Sequence, residues 1–295
     1  MKQVKLGIWT LAAALLLQLS SVNAQELPQP SQMQVLKQRV GLTDVTAIYS
    51  RPGVKDRKIW GELVPYGDMW RTGANGATHI VFGDDVKLNG NEMGAGDYAF
   101  FIIPKEEGKW TIVVNGNPET WGTNGYDKTL DIVRFEVEPE DLNHHVEWMT
   151  VDFTDLTANS ATISLSWEKK RVSFKMEVNT DEKAMANIRA ALKGATGDDA
   201  WKIYRDAASY TAESNDHLGE GLSWIETSIQ MKDTWYSHWV KADILAAQGQ
   251  ADQAIDSAKK AIKMGQAAAK KDGKEFNYET RIMKDIEEWK AAAKG

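Results

Sequence analysis

The chain contains no cysteine. That excludes disulfides, thiolate metal sites, a cysteine nucleophile and an acylated N-terminal cysteine. Basic residues are the minority, 35 Lys and Arg against 42 Asp and Glu, for a net charge of −7. Such a balance argues against a nucleic-acid binder or a polybasic membrane binder. Several motifs are also absent. There is no Gly-x-Ser-x-Gly elbow, no Gly-x-x-x-x-Gly-Lys-Ser/Thr phosphate loop and no helix-loop-helix calcium loop. What is present is a hydrophobic content of 42%, enough for a packed core, and 12 tryptophans. A length of 295 residues fits one large domain or two ordinary ones.

Lys2 and Lys5 precede an apolar run from Leu11 to Leu19, and Val22-Asn23-Ala24 follows. The order is that of a secretory signal peptide, with cleavage expected after Ala24. The run is shorter than the ~20 residues that span a bilayer, and no later segment is apolar enough to do so. The expected mature protein is exported, periplasmic or secreted, and has no transmembrane segment. An exported chain without cysteine must fold on packing alone.

From Thr43 to Val178 the pattern has period two. Val45, Ala47 and Tyr49 alternate with Thr46, Ile48 and Ser50. Ala161, Ile163, Leu165 and Trp167 face one way, and Thr162, Ser164 and Ser166 the other, the mark of a sheet with one wet face. Gly83-Asp84-Asp85 lies between two strand-like runs and predicts a hairpin. No helix-length segment separates the strands. Nine or ten short strands then predict an antiparallel β-sandwich or partly open barrel over 25–178.

After residue 180 alanine replaces the β-branched residues. Six helices are expected near 181–193, 198–214, 218–231, 235–248, 251–266 and 277–293, with Gly194, Gly249, Gly265 and Gly273 at or near their ends. Ala242, Leu245, Gly249, Ala254, Ala258 and Ala261 resemble the small-residue spacing of a tetratricopeptide helical pair, and Gly221, Ile225 and Ile229 repeat it weakly about 33 residues earlier. The expected class is α+β multidomain: a sandwich, then a short α-helical hairpin bundle over 179–295.

The densest constellation is the Gly/Pro-rich connection 49–79. It holds Arg51, Arg57, Arg71, Trp60, Trp70, Tyr66 and Asn75. Connections this long inside a compact domain are usually functional. Arginines can grip a carboxylate or phosphate, and the rings can stack on a sugar. The same arginines can instead pin the loop by binding carbonyls, while the tryptophans plug the sandwich end. A second loop, 115–127, carries Trp121, Tyr126 and Asp127. If the two loops are neighbours they form an aromatic-rimmed, arginine-floored pocket.

Tyr49 to Trp60, the run Leu63-Val64-Pro65-Tyr66-Gly67 through Trp70-Arg71-Thr72-Gly73-Ala74-Asn75, Ala95-Gly96-Asp97-Tyr98-Ala99, Trp110-Thr111-Ile112-Val113, and Trp121-Gly122 leading to Tyr126-Asp127 follow one another in order. Together they resemble the bacterial domain-of-unknown-function family 2911 over residues 30–178. The resemblance implies an exported β-rich domain and supplies no catalytic roles. An acidic residue often follows the family's Gly-Ala-Asn run; here the position is Gly76, which argues against a carboxylate base at that point.

Candidate chemistry is thin. His79, after the Gly-Ala-Asn turn, would act as acid or base with Asp84 or Asp127. His144 and His145 point to opposite faces of a strand, so a metal pair there is not expected. His217, His238 and the tail tryptophans read as packing residues. The expected function is a non-catalytic ligand-binding or protein-interaction module of the cell envelope. Its ligand would be small and anionic or carbohydrate-like, held by Arg51, Arg71, Trp70, Asn75, Trp121 and Tyr126. An envelope protein partner would use the helical tail. No cofactor, metal or nucleic acid is expected. The competing readings are a hydrolase of envelope glycans or peptides using His79 and Asp127, and a purely structural protein.

Overall fold

The computed structural model describes residues 27–293. The expected signal segment, with its cleavage point, lies outside the described residues. Ten strands come first: β1 (Gln32–Val40), β2 (Thr43–Arg51), β3 (Thr78–Phe82), β4 (Val86–Leu88), β5 (Asn91–Met93), β6 (Gly96–Ile103), β7 (Trp110–Asn115), β8 (Asp131–Val137), β9 (Glu140–Thr154) and β10 (Ser160–Val178). Six helices follow: α1 (Thr180–Lys193), α2 (Ala200–Ser214), α3 (Leu218–Met231), α4 (Trp235–Ala247), α5 (Ala251–Lys271) and α6 (Glu279–Ala292). The α+β layout read from the periodicity is the layout of the molecule.

The strands form two antiparallel sheets, β1-β2-β3-β6-β7-β8 and β5-β4-β10-β9. Alternation explains how they face each other. Val45, Ala47 and Tyr49 on β2, Ile80 and Phe82 on β3, and Ile163, Leu165 and Trp167 on β10 all enter one buried core. β10 is itself a hairpin. Around Glu168, whose φ is +56°, the chain reverses, so that Arg171 Nε donates to Ser166 Oγ at 3.1 Å and Val178 N–H to the Asn159 carbonyl at 2.9 Å. The two runs 161–167 and 172–178 are therefore separate arms, as their alternation suggests.

The hairpin expected at Gly83-Asp84-Asp85 does not form. β3 pairs with β2 and β6, whereas β4 pairs with β10 and β5, so this segment carries the chain from one sheet to the other. Asp84 is held by other partners: it accepts from Thr43 Oγ1 at 2.9 Å and forms an ion pair with Lys183. Lys183 also donates to the Leu42 carbonyl at 2.8 Å, which fastens α1 to the sandwich. The helical part is fastened to α1 in turn. Asp181 accepts from Tyr210 Oη at 3.1 Å, and His217 Nε2 lies 3.1 Å from the other Asp181 oxygen. Asp216 closes this cluster: one carboxylate oxygen each of Asp181 and Asp216 and a ring nitrogen of His217 lie within 4.8 Å of one another.

In the helical part α2 packs on α3, and α4 on α5. Ala242, Ala254, Ala258 and Ala261 are buried between helices, where their small side chains permit close approach. α5 runs past Gly265, where a stop was expected. The glycine is used for packing there: a Cβ would fall 2.3 Å from the Phe276 ring.

Candidate functional site

The 52–77 connection crosses the end of the sandwich and is sewn to it. Trp70 exchanges backbone hydrogen bonds with Ile102, at 2.8 and 2.9 Å. Its indole is 8% exposed, stacks on Trp167 at 5.6 Å and meets Trp60 edge-on at 5.6 Å. Trp60 also packs against Trp110, so four indoles plug this end of the core. Arg51 donates through Nε to the Met149 carbonyl and through Nη2 to Thr150 Oγ1, both at 2.8 Å. Arg57 binds the Val54 and Gly53 carbonyls at 3.0 and 2.6 Å. Asn75 Nδ2 reaches the Ser31 carbonyl and Ser50 Oγ, both at 3.2 Å. Trp70, Arg51 and Asn75 thus spend their polar groups and ring faces on the fold.

Arg71 differs. Among the described residues its guanidinium has neither a hydrogen bond nor an ion pair, and its Nε is occluded from solvent without a partner. The residue that follows, Thr72, is buried with φ +60°, and Asn75 has φ +60°. A β-branched residue in this region is uncommon, and such strain concentrates at binding sites. The 115–127 loop is the neighbour of this turn: Ala77 N–H donates to the Thr120 carbonyl at 2.9 Å and Gly122 N–H to the Asn75 carbonyl at 3.2 Å. A Cβ on Gly122 would lie 3.8 Å from Arg71 Nη1, so the guanidinium runs along the glycine. Trp121, beside it, is 68% exposed. An unpaired cation and an unpacked indole therefore share one rim.

The other sequence candidates have partners of their own. Tyr126 packs on Phe101, donates to Asp131 at 2.8 Å and accepts from Arg134 at 2.5 Å. Its phenol is pushed up by burial and by the Asp131 carboxylate. Asp127 caps the short 3-10 turn Lys128–Leu130, accepting from Thr129 N–H at 2.8 Å and Thr129 Oγ1 at 2.7 Å, which holds its carboxyl below the usual range. His79 pairs with neither Asp84 nor Asp127; its Nδ1 lies 2.7 Å from Asp97 Oδ1. The pairing of β3 with β6 brings these two side chains together. Asp97, Asp131 and Arg134 escaped the sequence reading. Asp97 shares the outer face of β6 with Ala99, a signal visible only once the β3–β6 register is known.

Residues 31–176 match the family model described as Protein of unknown function (DUF2911). These residues form a domain of this family. The family domain takes in both sheets, from the residue before β1 to the second arm of β10. No curated protein and no solved structure matches the chain. Among the described residues no helix is long and apolar enough to cross a membrane.

Proposed function

We infer that the protein is an exported, non-catalytic binding module of the cell envelope. Its family domain captures a small anionic, ring-bearing ligand between Arg71 and Trp121, and its helical part offers a surface to a partner. The observation that carries the reading is the Arg71 guanidinium, left without a counter-charge among the described residues beside an exposed indole. A buried unpaired donor costs about 1–3 kcal/mol, so its retention points to a ligand that completes it. A carboxylate or phosphate can engage the guanidinium through two parallel bonds while a sugar or aromatic ring lies on Trp121. Arg51, Trp70, Asn75 and Tyr126 hold the rim in shape in this reading.

The test is a titration of the purified mature protein with phosphate, sulfate and glucuronate, followed by amide chemical shifts. Shifts at residues 71–76 and 120–124 that vanish in Arg71→Ala support the reading. Arg71→Ala should melt no lower than the wild type, because it deletes an unpaired donor. An Arg71→Ala chain that unfolds, or a wild type that answers none of the three anions, overturns it. Cell fractionation tests export. The hydrolytic alternative now rests on the His79–Asp97 pair in place of His79 and Asp127; turnover of an envelope glycan or peptide, lost in His79→Ala, would favour it.

A further inference from the structure

The outer face of the second sheet carries an ordered polar lattice. Thr162, Ser164 and Ser166 point away from the core on the first arm of β10. Register places Thr154, Asp152 and Thr150 of β9 directly opposite them. On the other side the second arm of β10 brings Ser173 Oγ to 3.4 Å from Ser164 Oγ, and Arg171 to Ser166. Rows of hydroxyls thus repeat at the spacing of strands, about 4.8 Å across and about 6.8 Å along the chain.

This face is not a flat solvated one. It lines a cleft of about 450 Å³, within the range of small-ligand sites, roughly 300–1,000 Å³. On its floor Ser164 and Ser166 are 6% and 9% exposed. Each accepts a hydrogen bond, from Ser173 and from Arg171, and among the described residues neither donates one. Two buried hydroxyls therefore keep an O–H for something that enters the cleft.

Hydroxyls both donate and accept, and so do the groups of a sugar. An anion would not use the acceptors; Glu140, Asp152 and Asp155 along the cleft repel it, and the guanidinium there, Arg171, already lies 3.7 Å from Glu140. An apolar ligand would strand the buried serines. We propose that this cleft is a second binding site, separate from Arg71 and Trp121, for a neutral oligosaccharide lying across the central column of β10.

The experiment uses the full mature protein and three soluble probes, maltohexaose, cellohexaose and N-acetylchitohexaose, with binding read by amide chemical shifts and by calorimetry. The proposal expects one of them to move resonances of residues 148–154 and 162–173. The double variant Ser164→Ala/Ser166→Ala should bind roughly tenfold more weakly, the loss of two hydrogen bonds. The proposal is overturned if none of the probes binds, if shifts fall only at residues 71–76 and 120–124, or if the double serine variant, folded by its amide spectrum, binds like the wild type.

Discussion

Arg51 Nη2 donates to Thr150 Oγ1 at 2.8 Å, across the seam where the end of β2 meets β9. The same side chain binds the Met149 carbonyl, and Tyr49 Oη accepts from the Val151 N–H at 3.1 Å. Two successive turns of the β2 pleat thus lace one sheet to the edge of the other. A charged hydrogen bond contributes about 1.5–3 kcal/mol. Arg51→Ala should lower stability by about 2 kcal/mol in urea denaturation. Lost anion binding at unchanged stability would return Arg51 to the ligand site.

Trp70 is the second residue whose expected role moves from ligand to core. Its ring lies between Trp60 and Trp167, and its backbone acts as a short strand on Ile102. Truncating a buried tryptophan costs about 3–5 kcal/mol. Trp70→Ala should therefore be among the most damaging single changes in the sandwich, measured by equilibrium unfolding. Trp121→Ala, which removes an exposed ring, should leave the midpoint within the usual surface range of about ±0.5 kcal/mol.

These two cases show how far the sequence was legible. Alternation and helical spacing reveal which residues face a core, and Tyr49, Trp167 and Ala258 lie where those periods put them. The 49–79 segment was recognisable as special from its arginines and tryptophans. Which arginine is free was not, because that depends on carbonyls about a hundred residues away: among the described residues Arg51 finds Met149 and Arg71 finds nothing. The His79–Asp97 contact and the crossing at Asp84 were hidden for the same reason. Both follow from strand order, which periodicity does not encode. The serine face of β10 was read as wet, yet Ser164 and Ser166 on it are buried.

Asp243 on α4 sets the pH response of the helical part. Burial, and next the Asp285 carboxylate, push its carboxyl up to about 7; Arg281 opposes them and Glu213 adds to them. In the unfolded chain the group titrates near ~3.9. Folding therefore favours the protonated form, so this contribution is complete below about pH 4 and is lost as pH rises toward 7. Asp243→Asn keeps the neutral shape at every pH. Its melting temperature should exceed that of the wild type more at pH 8 than at pH 5, by ~2–4 °C for each kcal/mol recovered. Equal differences at the two pH values would mean that Asp243 ionises freely in the fold.

Gly221 marks the closest approach of α2 and α3. A Cβ at this position would lie 1.8 Å from Thr211 Oγ1 and 2.9 Å from Thr211 Cβ, and Thr211 is fully buried. Alanine is favoured over glycine inside a helix by about 1 kcal/mol, so an unobstructed Gly221→Ala would stabilise. Overpacking costs about 1–3 kcal/mol and works against that gain. Here both contacting atoms are near the backbone and cannot swing away, so the helices must part and the variant should be net destabilised. The threonine identifies itself through coupling. Thr211→Ala removes the nearer obstacle, so the two changes together should cost less than the sum of each alone, in a double-mutant cycle read by thermal unfolding. Strict additivity, or a Gly221→Ala protein more stable than the wild type, would show that α2 and α3 stand further apart than this contact requires.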